Sequence, residues 1–229
     1  MPLQSPILVR RLATGFAIVL GLQAAWILAA ELTRPEMGFF PGNAAEAKIA
    51  AAHNSSTAAA ARIGWPRGEL WTDHAVTASA ALLGEIENGV ALSASDLSNN
   101  ANGIAETAAA LAPSDARVWL LLAMNNAQSA SNDGKAFAQL KMSYYTSPYS
   151  DDLFPLRIQV AARSPHIADE ELSSFVEYEV GMVIRNKPKL IGFIASAYRT
   201  ASPAGRRFLE IALAKLDPKY LAEVKATRP

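Results

Sequence analysis

LAPSDARVWLLLA, Leu111 to Ala123, places a proline and a serine-aspartate pair directly ahead of a long apolar run. Proline stops a preceding helix and short polar side chains cap the next, so the segment reads as a helix start. From Val118 to Met124 every side chain is apolar. Such a helix has to be covered on more than one side. Two arrangements meet that demand: the central helix of a compact bundle, or a stack of helical hairpins that each bury their faces against both neighbours. Both put Trp119 in the core.

Period bears on the choice. Pro113 and Pro148 stand 35 residues apart, each after a predicted helix and before a short polar turn containing aspartate. That is close to the period of a helical-hairpin repeat of about 34 residues. Trp119, Leu122 and Ala123 supply its large and small residues on the first helix. After one extra residue in the turn SASNDG, Ala136, Leu140, Ser143 and Pro148 do so on the second. The pattern resembles a tetratricopeptide repeat, with Asn126 where tyrosine is usual, a departure that leaves a gap between the two helices. Gly89, Ala101, Ala108 and Pro113 fit a preceding repeat loosely, and Phe154 opens a third that is cut short at Arg163 to Pro165. The resemblance implies that Arg117, Met124 and Gln128 lie on the concave side of the first helix. There they would meet an extended peptide or a partner helix, with Arg117 facing a carboxylate. Ordinary solvated side chains are the alternative for all three.

Composition agrees with helix. The 229 residues are 51% hydrophobic, alanine-rich and sparse in β-branched side chains, and alanine loses no side-chain entropy in a helix. The chain is expected to be all-α, an N-terminal transmembrane helix followed by an irregular tetratricopeptide-like helical-hairpin array. The absence of cysteine excludes disulfides, thiolate metal sites and a cysteine nucleophile. The net charge of zero hides an asymmetry. Residues 36–184 carry 8 basic and 17 acidic side chains, whereas residues 185–229 carry 10 basic and 3 acidic ones. A basic end on an acidic body meets lipid headgroups, an anionic polymer or the acidic body itself.

Toward the N-terminus, Arg10 and Arg11 precede LATGFAIVLGLQAAWILAA, an uncharged run over residues 12–30. At about 1.5 Å per residue it approaches the roughly 30 Å of a bilayer core. A cleaved signal peptide is the alternative, with alanine available for cleavage but isoleucine or leucine three residues before the cut. The arginines of the short tail keep the N-terminus cytoplasmic, so the remainder is expected in the periplasm of a bacterial inner-membrane protein. Four segments follow: residues 1–34 as tail and anchor, 35–42 as a linker, 43–165 as the tetratricopeptide-like region, and 166–229 as a basic helical region.

The linker LTRPEMGFFPGN cannot stay helical through two prolines and two glycines. Asn43 with Glu46 forms a capping-box pattern for an alanine-rich helix, with a break between His53 and Thr57. GWPRGELW sets Trp65 and Trp71 on either side of a proline-glycine turn. That pair either plugs a helical core or stacks on a sugar ring. A helix runs from Asp73 to Ile86, and the stretch ENGVALSASDLSNN then turns the chain. Leu172, Phe175, Val176, Val180, Val183 and Ile184 form an apolar stripe after the acidic start Asp169 to Glu171. Arg185, Lys187 and Pro188 end that helix; Leu190 to Tyr198 mark another, and Ser202-Pro203 and Asp217-Pro218 open two more.

Catalytic patterns do not emerge, and the chain is expected not to be an enzyme and to need no cofactor. His53, His74 and His166 lie far apart without second ligands at helical spacing, and the adjacent pairs Asp151-Asp152 and Glu170-Glu171 suit helix starts. No phosphate loop, nucleophile elbow or nucleic-acid module occurs. The Met142 to Thr146 aromatic cluster is expected in the core. RGELW, LAPSDARVWLLLA, KMSYYTSPYSDDLFPLRIQVA and SPAGRRFLEIALAKLDP are together similar to membrane-anchored helical-repeat proteins of alphaproteobacteria that accompany surface-polysaccharide systems. The resemblance implies an adaptor or scaffold for envelope proteins, in contact with the inner membrane through residues 12–30 and with an anionic polysaccharide as a further partner. The alternative is a carbohydrate-binding or processing protein that uses Trp65, Trp71 and the basic C-terminal third.

Overall fold

A computed structural model describes residues 6–36, 41, 44–87, 95–127, 130–186 and 190–226. Among these residues there are twelve α-helices and no strand. They are α1 (Pro6–Thr33), α2 (Ala44–Ala52), α3 (Asn54–Ile63), α4 (Gly68–Glu87), α5 (Ser95–Leu111), α6 (Ala116–Asn126), α7 (Asp133–Thr146), α8 (Phe154–Arg163), α9 (Glu170–Asn186), α10 (Ile191–Thr200), α11 (Pro203–Leu216) and α12 (Pro218–Ala226). The expected break in the alanine-rich helix falls at His53, between α2 and α3. The Asn43 cap, Gly89, and the Lys187-Pro188 stop lie outside the described residues. The stretch expected to turn the chain is helical from Ser95 onward, where α5 begins.

Helix α6 begins inside the LAPSDARVWLLLA segment, at Ala116. Asp115 caps it by accepting from the Arg117 backbone N–H at 3.0 Å, satisfying one of the free amides of the first turn. Val118 and Leu120 through Met124 are all buried, because α6 is packed by α4, α5, α7 and α8. Trp119 departs from its expected place: it is half-buried at the rim, and its indole N–H donates to the Pro113 carbonyl at 2.7 Å. An indole at the rim can keep its N–H satisfied in this way while its ring packs against the core.

Helices α6 and α7 pair closely, with the end of α7 beside the start of α6. The Ser143 hydroxyl donates to the Ala116 carbonyl at 2.9 Å, a contact that needs a small residue on α7. At the opposite end Asn126 leaves no gap. Its amide nitrogen lies 3.0 Å from the Leu122 carbonyl and 2.9 Å from Gln139 Oε1, so hydrogen bonds replace the packing of a tyrosine ring.

Beyond α7, as between α2 and α4 and between α4 and α6, helices pack on others besides their sequence neighbours. Helix α8 is buried at every position from Phe154 to Ala162 and lies closest to α10, with α9, α11, α6 and α7 also against it. One hydrophobic core therefore runs from Ala47 through α6 and α8 to Val224, continuous across residue 165. Ser202 opens α11 as expected, its hydroxyl accepting from the Gly205 N–H at 3.0 Å. Asp217 does the same for α12, accepting from the Lys219 and Tyr220 amides at 3.1 and 3.0 Å.

Candidate functional site

Helix α1 stands apart from the core along most of its length. Its stretch Ile7–Thr33 has a mean hydropathy of 1.9, and none of its most apolar window is buried. Leu12, Phe16, Val19 and Leu22 are each exposed by 60% or more. A helix that is apolar all round and uncovered by protein is long enough and apolar enough to cross a membrane.

The last turns of α1 meet the helical body. Ala30 is buried in a small cluster with Ala60, Ala61 and Leu70. The Trp26 indole N–H donates to the Ile63 carbonyl, the end of α3, at 2.6 Å. Gly64 makes the approach possible, since a Cβ there would lie 3.2 Å from the Ala30 methyl and closer still to Leu70. Absence of a side chain lets the α3 end sit directly on α1.

Charges continue the seam. Glu31 pairs with Arg67, which also donates to Glu69 at 2.8 Å. Arg34 donates through Nε and Nη2 to Asp73 Oδ2 at 2.9 and 2.8 Å. Asp73 Oδ1 lies 3.4 Å from Arg117 Nη1, and Arg117 Nη2 lies 2.7 Å from Asp115 Oδ2. A relay of alternating charge thus runs from the end of α1, through α4, to the capped start of α6. Burial pushes the Asp73 carboxyl up, against the pull of Arg34 and Arg117.

The three predicted contact residues fall in different places. Arg117 belongs to this seam, its guanidinium pairing with Asp115 and Asp73. Met124 is fully buried because α7 and α8 cover it, and it lines a cleft with Phe137, Leu140, Val160, Arg163 and Pro165. Gln128 lies outside the described residues. Of the tryptophan pair, Trp65 is 63% exposed whereas Trp71 is half-buried, with its indole N–H on the Trp65 carbonyl at 2.9 Å. The aromatic cluster divides likewise, Tyr144 being buried and Tyr145 half exposed.

A buried polar group was not among the predicted sites. Arg157 on α8 and Glu179 on α9 are both fully buried, with Nη1 3.3 Å from Oε1. Arg157 also donates to the Ser143 hydroxyl at 3.0 Å and lies 4.6 Å from the centre of the Tyr144 ring, whose hydroxyl donates to Glu179 Oε2 at 2.9 Å. Burial outweighs the arginine and pushes the Glu179 carboxyl up to about 8. A sequence signal existed, since Glu179 stands at the spacing of the apolar stripe, between Val176 and Val183.

Among the described residues no three histidine, aspartate or glutamate side chains converge to hold a metal. Part of the basic C-terminal charge is paired at the surface, Lys215 with Glu177 and Lys225 with Glu210. No family model, curated protein or solved structure matches the chain.

Proposed function

We propose that the protein is a single-pass inner-membrane adaptor. In this reading α1 is the anchor with its N-terminus in the cytoplasm, and the helices from α2 onward form a periplasmic, tetratricopeptide-like domain that holds envelope proteins together. A polysaccharide synthesis or export machine is the proposed setting. Tethering confines the domain to two dimensions and raises its effective concentration near other membrane proteins.

One observation carries the reading: an uncovered apolar helix joined to a helical body by a hydrogen bond, a close-packed glycine and two ion pairs. A merely flexible tether would need none of these. A carbohydrate-binding role has less support, because Trp71 is packed into both core clusters and does not form an open pair with Trp65.

Crosslinking in intact cells, followed by purification from detergent, tests the proposal. Recovery of defined membrane or periplasmic proteins is expected. Recovery of none, together with glycan binding that is salt-sensitive and lost in Trp71→Ala, Arg206→Ala and Arg207→Ala, supports the carbohydrate reading instead.

A further inference from the structure

We infer that the corner between α3 and α4, from Ile63 to Pro66, is a second membrane contact, with Trp65 entering the interfacial layer of the leaflet from which α1 emerges. This rests on the reading of α1 as a membrane span. The level of the corner is set by two contacts, Trp26 to the Ile63 carbonyl and Ala30 to Gly64. Both partners on α1 lie inside its uncharged run, before Glu31. Trp26 precedes Glu31 by five residues, or about 7.5 Å along a helix. Whatever depth the bilayer gives the last apolar turns of α1, it therefore gives to the end of α3.

The side chains at the corner suit that depth. Trp65 and Pro66 are exposed and Ile63 is half-buried. The charged Arg67 and Glu69 lie on the following turn, where Arg67 already pairs with Glu31. An amphipathic indole at the boundary of water and hydrocarbon is a favoured arrangement, and Trp26 would occupy the same belt. Exposed Arg62, one residue before Ile63, is long enough to reach headgroup phosphates while its stem stays apolar. With two contacts, one a helix and one a corner, the domain cannot swivel about α1. Its face toward the membrane is then fixed.

The chain contains no cysteine, so single-cysteine labelling needs no background removal. Phe16→Cys, Trp65→Cys, Pro66→Cys and Tyr149→Cys variants of the full chain, each carrying a nitroxide, are reconstituted in phosphatidylcholine and phosphatidylglycerol vesicles. Collision with dissolved oxygen and with an aqueous nickel chelate is measured at each position. Nickel collisions are expected to be lost at 16, 65 and 66 and retained at 149. An aqueous signal at 65 and 66 with a lipid signal at 16 overturns this inference and leaves the span intact. An aqueous signal at 16 overturns the span, and the inference with it. Shielding of 65 from both reagents, with broadening between labels, overturns the lipid contact in favour of a second copy of the chain.

Discussion

The Trp26 indole nitrogen lies 2.6 Å from the Ile63 carbonyl oxygen, which ties the last apolar turns of α1 to the end of α3. This bond helps to hold α1 and the helices from α2 onward together. Trp26→Phe keeps the ring and removes the donor, leaving a helix-terminal carbonyl without that partner. The join is expected to weaken by about 1 kcal/mol, roughly fivefold in the equilibrium between docked and undocked α1. Trypsin cleavage after Arg67, held by Glu31 of α1 in the docked state, reads this directly. Unchanged cleavage in the variant contradicts the role given to the bond.

Arg157 and Glu179 should behave as a unit. Removing one partner leaves the other buried without its hydrogen bond, so Arg157→Met alone is expected to cost about 1–3 kcal/mol in urea unfolding. Combining it with Glu179→Leu removes the stranded carboxyl and should recover a large part of that loss. Additive costs would show that the two side chains do not interact.

The same carboxyl gives a pH dependence with a defined sign. Its native value of about 8 lies above the ordinary 4.5, so over that interval the folded protein holds a proton that the unfolded chain has released. Its contribution to stability is complete below about 4.5 and is lost as pH rises to about 8. Glu179→Gln cannot titrate. The stability of the parent relative to this variant should therefore fall between pH 5 and 8 and then level off, as followed by circular dichroism in urea. A rise across that range contradicts the assignment.

Gly205 on α11 packs so tightly on α8 that an added methyl would overlap the Ala162 carbonyl. That oxygen already accepts from the Ser202 N–H at 3.0 Å and the Ser202 hydroxyl at 3.2 Å. Gly205→Ala is expected to lower stability by about 1–3 kcal/mol or more, despite alanine's better helix propensity. Gly103→Ala on α5, where nothing lies within 4 Å of the added methyl, is the control and should be neutral or mildly stabilising. Equal effects at the two positions would show that propensity, not packing, governs both.

Much of the helix order was legible before any coordinates. Pro203 and Pro218 sit at helix starts because proline lacks the N–H that a first turn leaves unpaired, and the all-apolar face of α6 demanded neighbours on several sides. These are local properties, carried by the residue itself and its nearest few neighbours. Arg117 could not be read that way. Its place came from the repeat resemblance; besides Asp115 close by in sequence, its guanidinium meets Asp73, 44 residues away, on a helix that only packing brings alongside. The same holds for the ring of Trp119, for the polar infill around Asn126 and for Arg157 with Glu179.

By itself the sequence determined that the chain is helical, where most helices begin and end, and that residues 12–30 form an uncharged apolar stretch, because backbone preference and hydropathy act over a few residues. Tertiary structure alone decided that this stretch is seated on the corner at Gly64, and that α8 becomes a second fully covered helix. Those outcomes depend on which surfaces meet across long stretches of chain, where a missing Cβ or a buried ion pair matters only once both sides are in place.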